Sequence, residues 1–195
     1  MLPPILSKVQ EMGFAIFTKG DYNLNLIGVR SSNPQPNKFD DLLFCIYKEN
    51  GQWIQQWWNI TTDPGTHWIE HPLNKLGCAC VVEDRQYRGV WKLGKHRNKY
   101  LALVQTGAKI AVYRDDDRDP RYDFEPSSIV EGFYGINCHR ATTRKGGSVA
   151  VDKWSAGCQV FQDPDDFDEF MAICKKQKEV RGWESYSYTL LKQWW

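Results

Sequence analysis

The chain has 195 residues, enough for one domain with a sizeable core or for one domain carrying an elaborated lobe. Lys and Arg total 25 against 24 Asp and Glu, so no strong field exists to recruit nucleic acid or an anionic membrane. Nine each of Trp, Tyr and Phe favour β structure and suit a packed core as well as a carbohydrate- or peptide-binding cleft.

Pro3 to Met12, stopped by Gly13, reads as a short helix with Ile5, Val9 and Met12 on one side. Phe14–Thr18 and Tyr22–Arg30 read as strands around a Lys19-Gly20-Asp21 turn, followed by a Pro/Asn/Ser loop over Ser31–Lys38. Asp41–Lys48 and Gln52–Ile60 form a predicted hairpin about Glu49-Asn50-Gly51. Its second strand carries Trp53, Trp57 and Trp58, for which core and cross-strand packing is preferred over a ligand platform. After a turn at Thr61–Gly65, His67-Trp68-Ile69-Glu70-His71 matches the inverted zinc-peptidase pattern. Pro64-Gly65 and Pro72 bracket it too closely for the helix that pattern needs, so no metal is expected there.

Gly77–Val82, Gln86–Leu93, Tyr100–Gln105 and Lys109–Arg114 are further strand candidates. His96 falls in the basic loop Lys95–Lys99, either solvated or facing a cleft as a second imidazole. Asp115, Asp117, Asp119 and Asp123 occupy positions 1, 3, 5 and 9 of a calcium-type loop. Pro120 and Pro126 replace its Gly and its closing acid, so a solvated acidic turn balanced by Arg114, Arg118 and Arg121 is preferred. Asp163–Gln177 is the clearest helix: Asp163 caps it, Pro164 fits its first position, and Phe167, Phe170, Met171 and Cys174 form one apolar stripe. Tyr186–Leu190 closes as a strand, and Gln193-Trp194-Trp195 is an aromatic tail without an assigned role.

The N-terminal Met1-Leu2-Pro3-Pro4-Ile5-Leu6-Ser7-Lys8 has no basic segment followed by a long apolar run, so neither a signal peptide nor a transmembrane span is expected. Six cysteines make no dense secreted framework in a chain this long; reduced, structural thiols are the preferred reading, Cys78 and Cys80 included.

The chemistry concentrates between Tyr134 and Phe161. His139 and Cys158 each lie on a short apolar run, joined by a Lys/Gly/Ser-rich excursion. Neighbouring strands of one sheet would bring imidazole and thiol together, and a nearby imidazole is a common way to activate a thiol. A packed pair of core residues is the competing reading, since free Cys is among the most buried residue types. Gly157 permits a backbone conformation closed to other residues, and the amides of Gly157 and Cys158 are candidate oxyanion donors. Tyr134, Asn137, Arg140 and Trp154 flank the pair and are candidate substrate contacts.

His139, the 14-residue stretch 141–154, then Ser155, Gly157 and Cys158 resemble the signature of the L,D-transpeptidase catalytic domain, whose members act on peptidoglycan stem peptides. The resemblance covers the last third of the chain and implies Cys158 as nucleophile, His139 as its base and Ser155 as a residue shaping the nucleophile loop. Arg140 stands where the pattern has Gly, Ala156 where it has His, and Val160 where an Arg usually follows the Cys. Arg140 is the candidate to take over carboxylate recognition from position 160. Gly20–Leu26, Thr61–Gly65, Ala102–Gln105 and Trp154–Phe161 also resemble a group of bacteriophage-encoded proteins.

Together these features imply a β-rich α+β chain. Residues 1–60 are expected as an N-terminal lobe, and residues 61–195 as mixed sheets of the L,D-transpeptidase fold with one main C-terminal helix packed on a sheet. The implied activity is attack on a stem-peptide amide through a Cys thioester, hydrolytic as in a phage endolysin. It needs no cofactor, and the protein would be made in the cytoplasm of an infected bacterium to act on the cell wall. Cross-link formation, action on another amide, and a non-catalytic wall-binding or virion structural module are the alternatives.

Overall fold

The computed structural model describes all residues 1–195. In chain order it contains α1 (Pro4–Glu11), β1 (Asn25–Arg30), β2 (Asp41–Glu49), β3 (Gln52–Thr61), α2 (Thr66–Glu70), β4 (Cys78–Val81), β5 (Arg85–His96) and β6 (Tyr100–Gln105). These are followed by β7 (Ile110–Asp115), a 3-10 turn (Pro126–Ser128), β8 (Val130–Gly132), β9 (Cys138–Arg140), β10 (Gln159–Phe161), α3 (Pro164–Arg181) and β11 (Ser185–Lys192). Eight strands close into a barrel in the order β1-β11-β5-β6-β9-β10-β3-β2, and β4-β7-β8 form a separate antiparallel sheet. Two barrel pairings are parallel, β1 with β11 and β9 with β10; the sheet is therefore mixed, as expected.

The hairpin of β2 and β3 forms because Asn50 (φ 51°) and Gly51 (φ 76°) accept the left-handed conformation a two-residue turn demands. The Asp21 carboxylate then accepts hydrogen bonds from both turn amides, at 2.8 and 3.0 Å. β1 is buried on both faces. Leu26 joins the main core, whereas Ile27 and Val29 face Ile5, Leu6 and Val9 of α1. The expected strand Phe14–Thr18 does not form: Ala15 and Phe17 instead use their amides on the side chains of Gln86 and Asn25.

The predicted C-terminal helix is present and runs to Arg181, further than its apolar stripe alone indicated. Asp163 accepts from the Asp165 amide at 2.9 Å, Pro164 opens the first turn, and Gly182 ends the helix at φ 70°. Phe167 and Phe170 pack on Phe161 of β10, and Trp58 joins them while donating to Glu169 at 3.0 Å. Trp58 is thus a core residue, but Trp57 is 60% exposed. No helix is long and apolar enough to cross a membrane.

The boundary expected near residue 60 falls inside the barrel. β1, β2 and β3 all come from the first 61 residues, yet β1 pairs with β11 and β3 with β10. Closure gives every barrel strand a neighbour on both sides and leaves no independent N-terminal lobe. Inside, Trp91 packs on Tyr188 at 4.5 Å between ring centroids, and the Tyr188 hydroxyl donates to Gln159 at 2.6 Å. This buried pillar supports the first residue of β10, immediately after Cys158.

Candidate active site

The segment leading into β10 is held by its own side chains. Ser155 is fully buried; its hydroxyl donates to the Cys158 carbonyl at 2.9 Å and accepts from the Gly157 amide at 3.1 Å. Gly157 sits at φ 117°, and a Cβ there would lie 2.3 Å from the Ala79 carbonyl oxygen of β4. Only glycine fits, both for conformation and for space. The Gly157 amide, expected as an oxyanion donor, is therefore committed to Ser155. The Cys158 amide has no acceptor within the protein and stays available.

Strand pairing fixes which side chains share a face. In the parallel β9–β10 register Cys138 is opposite Gln159 and His139 is opposite Val160. Alternation along the chain then puts Cys158, two residues before Val160, on the His139 side. Both side chains line one cavity of about 500 Å³, together with His96, Asn137, Trp154 and Tyr134. Cys158 is the only one of the six free cysteines that is not buried; Cys78 touches the cavity wall but is 4% exposed.

The thiol rests between two backbone groups: Sγ accepts from the Asn137 amide and donates to the Gly135 carbonyl, each at 3.4 Å. Burial pushes its pKa up to about 11, against the opposing pull of the Asn137 amide and of Arg97. His139 is 4% exposed and stacks on His96, with centroids 4.0 Å apart and planes at 24°. Burial first, then the neighbouring His96, lowers the His139 pKa to about 3. Burial and Arg97 lower that of His96 to about 4. Both rings are neutral at physiological pH. His139 Nδ1 lies 2.9 Å from the Arg140 carbonyl, which can only accept, so Nδ1 carries the proton and Nε2 keeps a free lone pair.

Asn137 links these parts. Its Oδ1 accepts from the Gln105 amide at 2.9 Å, so its amide nitrogen is the atom 3.1 Å from His96 Nδ1 and donates to it. Gln105 in turn accepts the Tyr134 and Ile136 amides, both at 3.0 Å, and shapes the segment that offers the Gly135 carbonyl. The Tyr134 ring lies under the Arg114 guanidinium at 4.4 Å. Trp154 is 43% exposed beside the cavity.

Of the residues singled out by sequence, Cys158, His139, Tyr134, Asn137 and Trp154 meet at this cavity, with Ser155 and Gly157 shaping the loop below it. Arg140 does not reach it. Its guanidinium stacks over Tyr100 at 4.0 Å and lies 3.7 Å from Asp168, and Arg140 lines a second groove that His139 also borders. The cations at the thiol cavity are instead Arg97 and Arg114. His96 lies on β5, 8% exposed, because the Arg97-Asn98 turn (φ 48° and 58°) extends the β5–β6 hairpin beyond its apolar stretch. The sequence places His96 in a basic loop, either solvated or cleft-facing; it is on a strand and borders the cavity, and nothing in the sequence marks Gln105.

The His-x-x-Glu-His run forms one short helical turn, α2, with Ile69 buried beneath it and the His67 and His71 rings 5.1 Å apart. In the acidic loop Asp115 is buried and accepts the Asp123 amide at 3.1 Å, so it is part of the fold and not of a solvated turn. Comparison of the chain with protein-family models, with curated proteins and with solved structures finds no match.

Proposed function

We propose that this protein is a cysteine enzyme of the L,D-transpeptidase type that hydrolyses an amide in a peptidoglycan stem peptide. One observation carries the catalytic part: a half-buried thiol immediately before β10 and a neutral, carbonyl-oriented imidazole on its parallel neighbour β9 face one cavity of about 500 Å³. The choice of peptidoglycan rests on the motif around His139 and Ser155–Cys158, and the choice of hydrolysis on the bacteriophage resemblance.

At rest the pair is thiol and imidazole, not thiolate and imidazolium. As Sγ adds to the substrate carbonyl carbon, its proton passes to His139 Nε2, and the carbonyl oxygen takes the negative charge facing the Cys158 amide. Collapse breaks the C–N bond, the imidazolium returns its proton to the departing amine, and a thioester remains on Cys158. A water molecule then gives a proton to His139 while its oxygen adds to the thioester carbon. The C–S bond breaks, the carboxylic acid leaves, and the proton returns to sulfur. The Arg140 carbonyl holds the ring in its proton-accepting tautomer throughout.

The test is incubation of the purified protein with peptidoglycan and mass spectrometry of the muropeptides. Shortened or split stems are expected from the native protein and none from Cys158→Ala, with Cys174→Ala, a fully buried thiol, retaining activity. New cross-links would move the assignment to transpeptidation. Unchanged muropeptides, or cleavage that survives Cys158→Ala, would overturn it.

A further inference from the structure

A second groove of about 300 Å³ shares the stacked imidazoles with the thiol cavity but is not lined by Cys158. Four cations line it, Arg97 and Lys99 from the β5–β6 turn, Arg140 from β9 and Lys153 from the loop before β10, and no carboxylate does. Arg97, Lys99 and Lys153 take part in no ion pair, and all three are exposed. Arg140 has only the loose contact to Asp168, a side chain that is itself 72% exposed. Thr142 and Thr143 add hydroxyl groups to the same wall. The whole chain carries 25 basic and 24 acidic residues, so this convergence is a local segregation of charge and not a general excess. Four like charges drawn to one concavity repel one another unless an anion joins them.

We propose that this groove is a binding site for a multiply charged oxyanion, a phosphate-bearing group or clustered carboxylates. A lone carboxylate would satisfy one guanidinium fork and leave the remaining cations uncompensated. His96, Arg97, His139 and Trp154 border both this groove and the thiol cavity, so a ligand in one lies beside the other. Given the functional reading above, the bound anion belongs to the amine half of the substrate, the side to which His139 delivers its proton. The anion site itself does not depend on that reading.

The test therefore uses no turnover. Cys158→Ala protein is titrated calorimetrically, at low ionic strength, with pyrophosphate, citrate and acetate. Pyrophosphate or citrate is expected to bind at least about tenfold more tightly than acetate, with affinity falling as salt is added. Adding Lys99→Ala and Lys153→Ala is expected to weaken it a further tenfold or so, the loss of one or two charge-assisted hydrogen bonds. Lys175→Ala with Lys192→Ala removes the same charge from exposed, unpaired positions elsewhere and is expected to change little. Tighter pyrophosphate than citrate identifies phosphate as the natural group and the reverse identifies carboxylates; either upholds the site. Absence of binding, acetate as tight as the polyanions, or an equal loss in the Lys175/Lys192 control would overturn it. Muropeptide release by the native protein is scored separately, so failure of the anion site is not failure of the catalytic assignment.

Discussion

Cys158 and His139 differ from the ion-paired thiolate and imidazolium that proximity alone would suggest. Burial acts on both in the direction of neutrality, raising the thiol to about 11 and lowering the imidazole to about 3. Alkylation by iodoacetamide reads this directly, because the thiolate is the reacting form. The rate at Cys158 is expected to keep rising with pH beyond 9, without a plateau near neutrality; a plateau below pH 7 would show a resting ion pair instead. The same burial has a stability consequence. His139 and His96 have folded-state values below the ordinary 6.5, so between roughly pH 3 and pH 6.5 the unfolded chain binds more protons. Their contribution is complete above pH 6.5 and is lost as pH falls towards 4 and then 3. Denaturant midpoints are expected to drop between pH 7.5 and pH 5, and to drop less in His96→Phe, which keeps an aromatic ring against His139 but removes one titrating group. The carboxyls of Asp63 and Asp115, raised by burial, act in the opposite direction over this range, so an equal drop in the two proteins would show that His96 contributes nothing to it. His139→Ala is expected to lower muropeptide release about 10²–10⁴-fold, the range for loss of a positioned general base.

The loop Ser155–Cys158 is the element on which the candidate site depends. Ser155→Ala removes the acceptor of the Gly157 amide and the donor to the Cys158 carbonyl at a fully buried position. A loss of about 1–3 kcal/mol in urea unfolding is expected, with activity falling because the loop that positions Sγ and the Cys158 amide loses its internal anchor. Gly157→Ala brings a Cβ against the Ala79 carbonyl and is expected to move the loop and abolish activity while the barrel persists. Full activity in either variant would show that the loop does not set the nucleophile. Elements whose signal is local were legible in the sequence: α3 from its cap and stripe, the β2–β3 hairpin from Asn50-Gly51, and the strands β4 to β7 as short runs separated by Gly, Asn and Lys turns. The placement of His139 and Cys158 was legible because two short apolar runs and a Gly mark them. Arg140 was misplaced because its position depends on Tyr100 and Asp168, contacts between elements that no spacing encodes. Phe14–Thr18 was misread because its amides satisfy themselves on Asn25 and on Gln86, a residue far along the chain. Barrel closure was hidden for the same reason: parallel pairing of β1 with β11 joins the two ends of the chain.

That closure makes the strands that position His139 and Cys158 dependent on the first third of the molecule. A fragment spanning residues 61–195 keeps His139, Cys158, the loop and α3, yet it loses β1, β2 and almost all of β3. β10 would then lack its antiparallel partner and β11 its parallel one, exposing two strand edges. Seven of the 31 residues in the main core lie before residue 61: Leu24, Leu26, Leu43, Cys45, Tyr47, Trp58 and Ile60. At about 1.5–3 kcal/mol for each buried side chain their loss is on the order of 10–20 kcal/mol, comparable to or above the net stability of an ordinary domain. The fragment is therefore expected to show no cooperative thermal transition and no dispersed amide spectrum, and to leave peptidoglycan untouched. Adding residues 1–60 as a separate chain is expected to restore structure, since it returns the partners of β10 and β11. A 61–195 fragment that unfolds cooperatively alone would place the fold's integrity, and the support of Cys158, in the C-terminal strands.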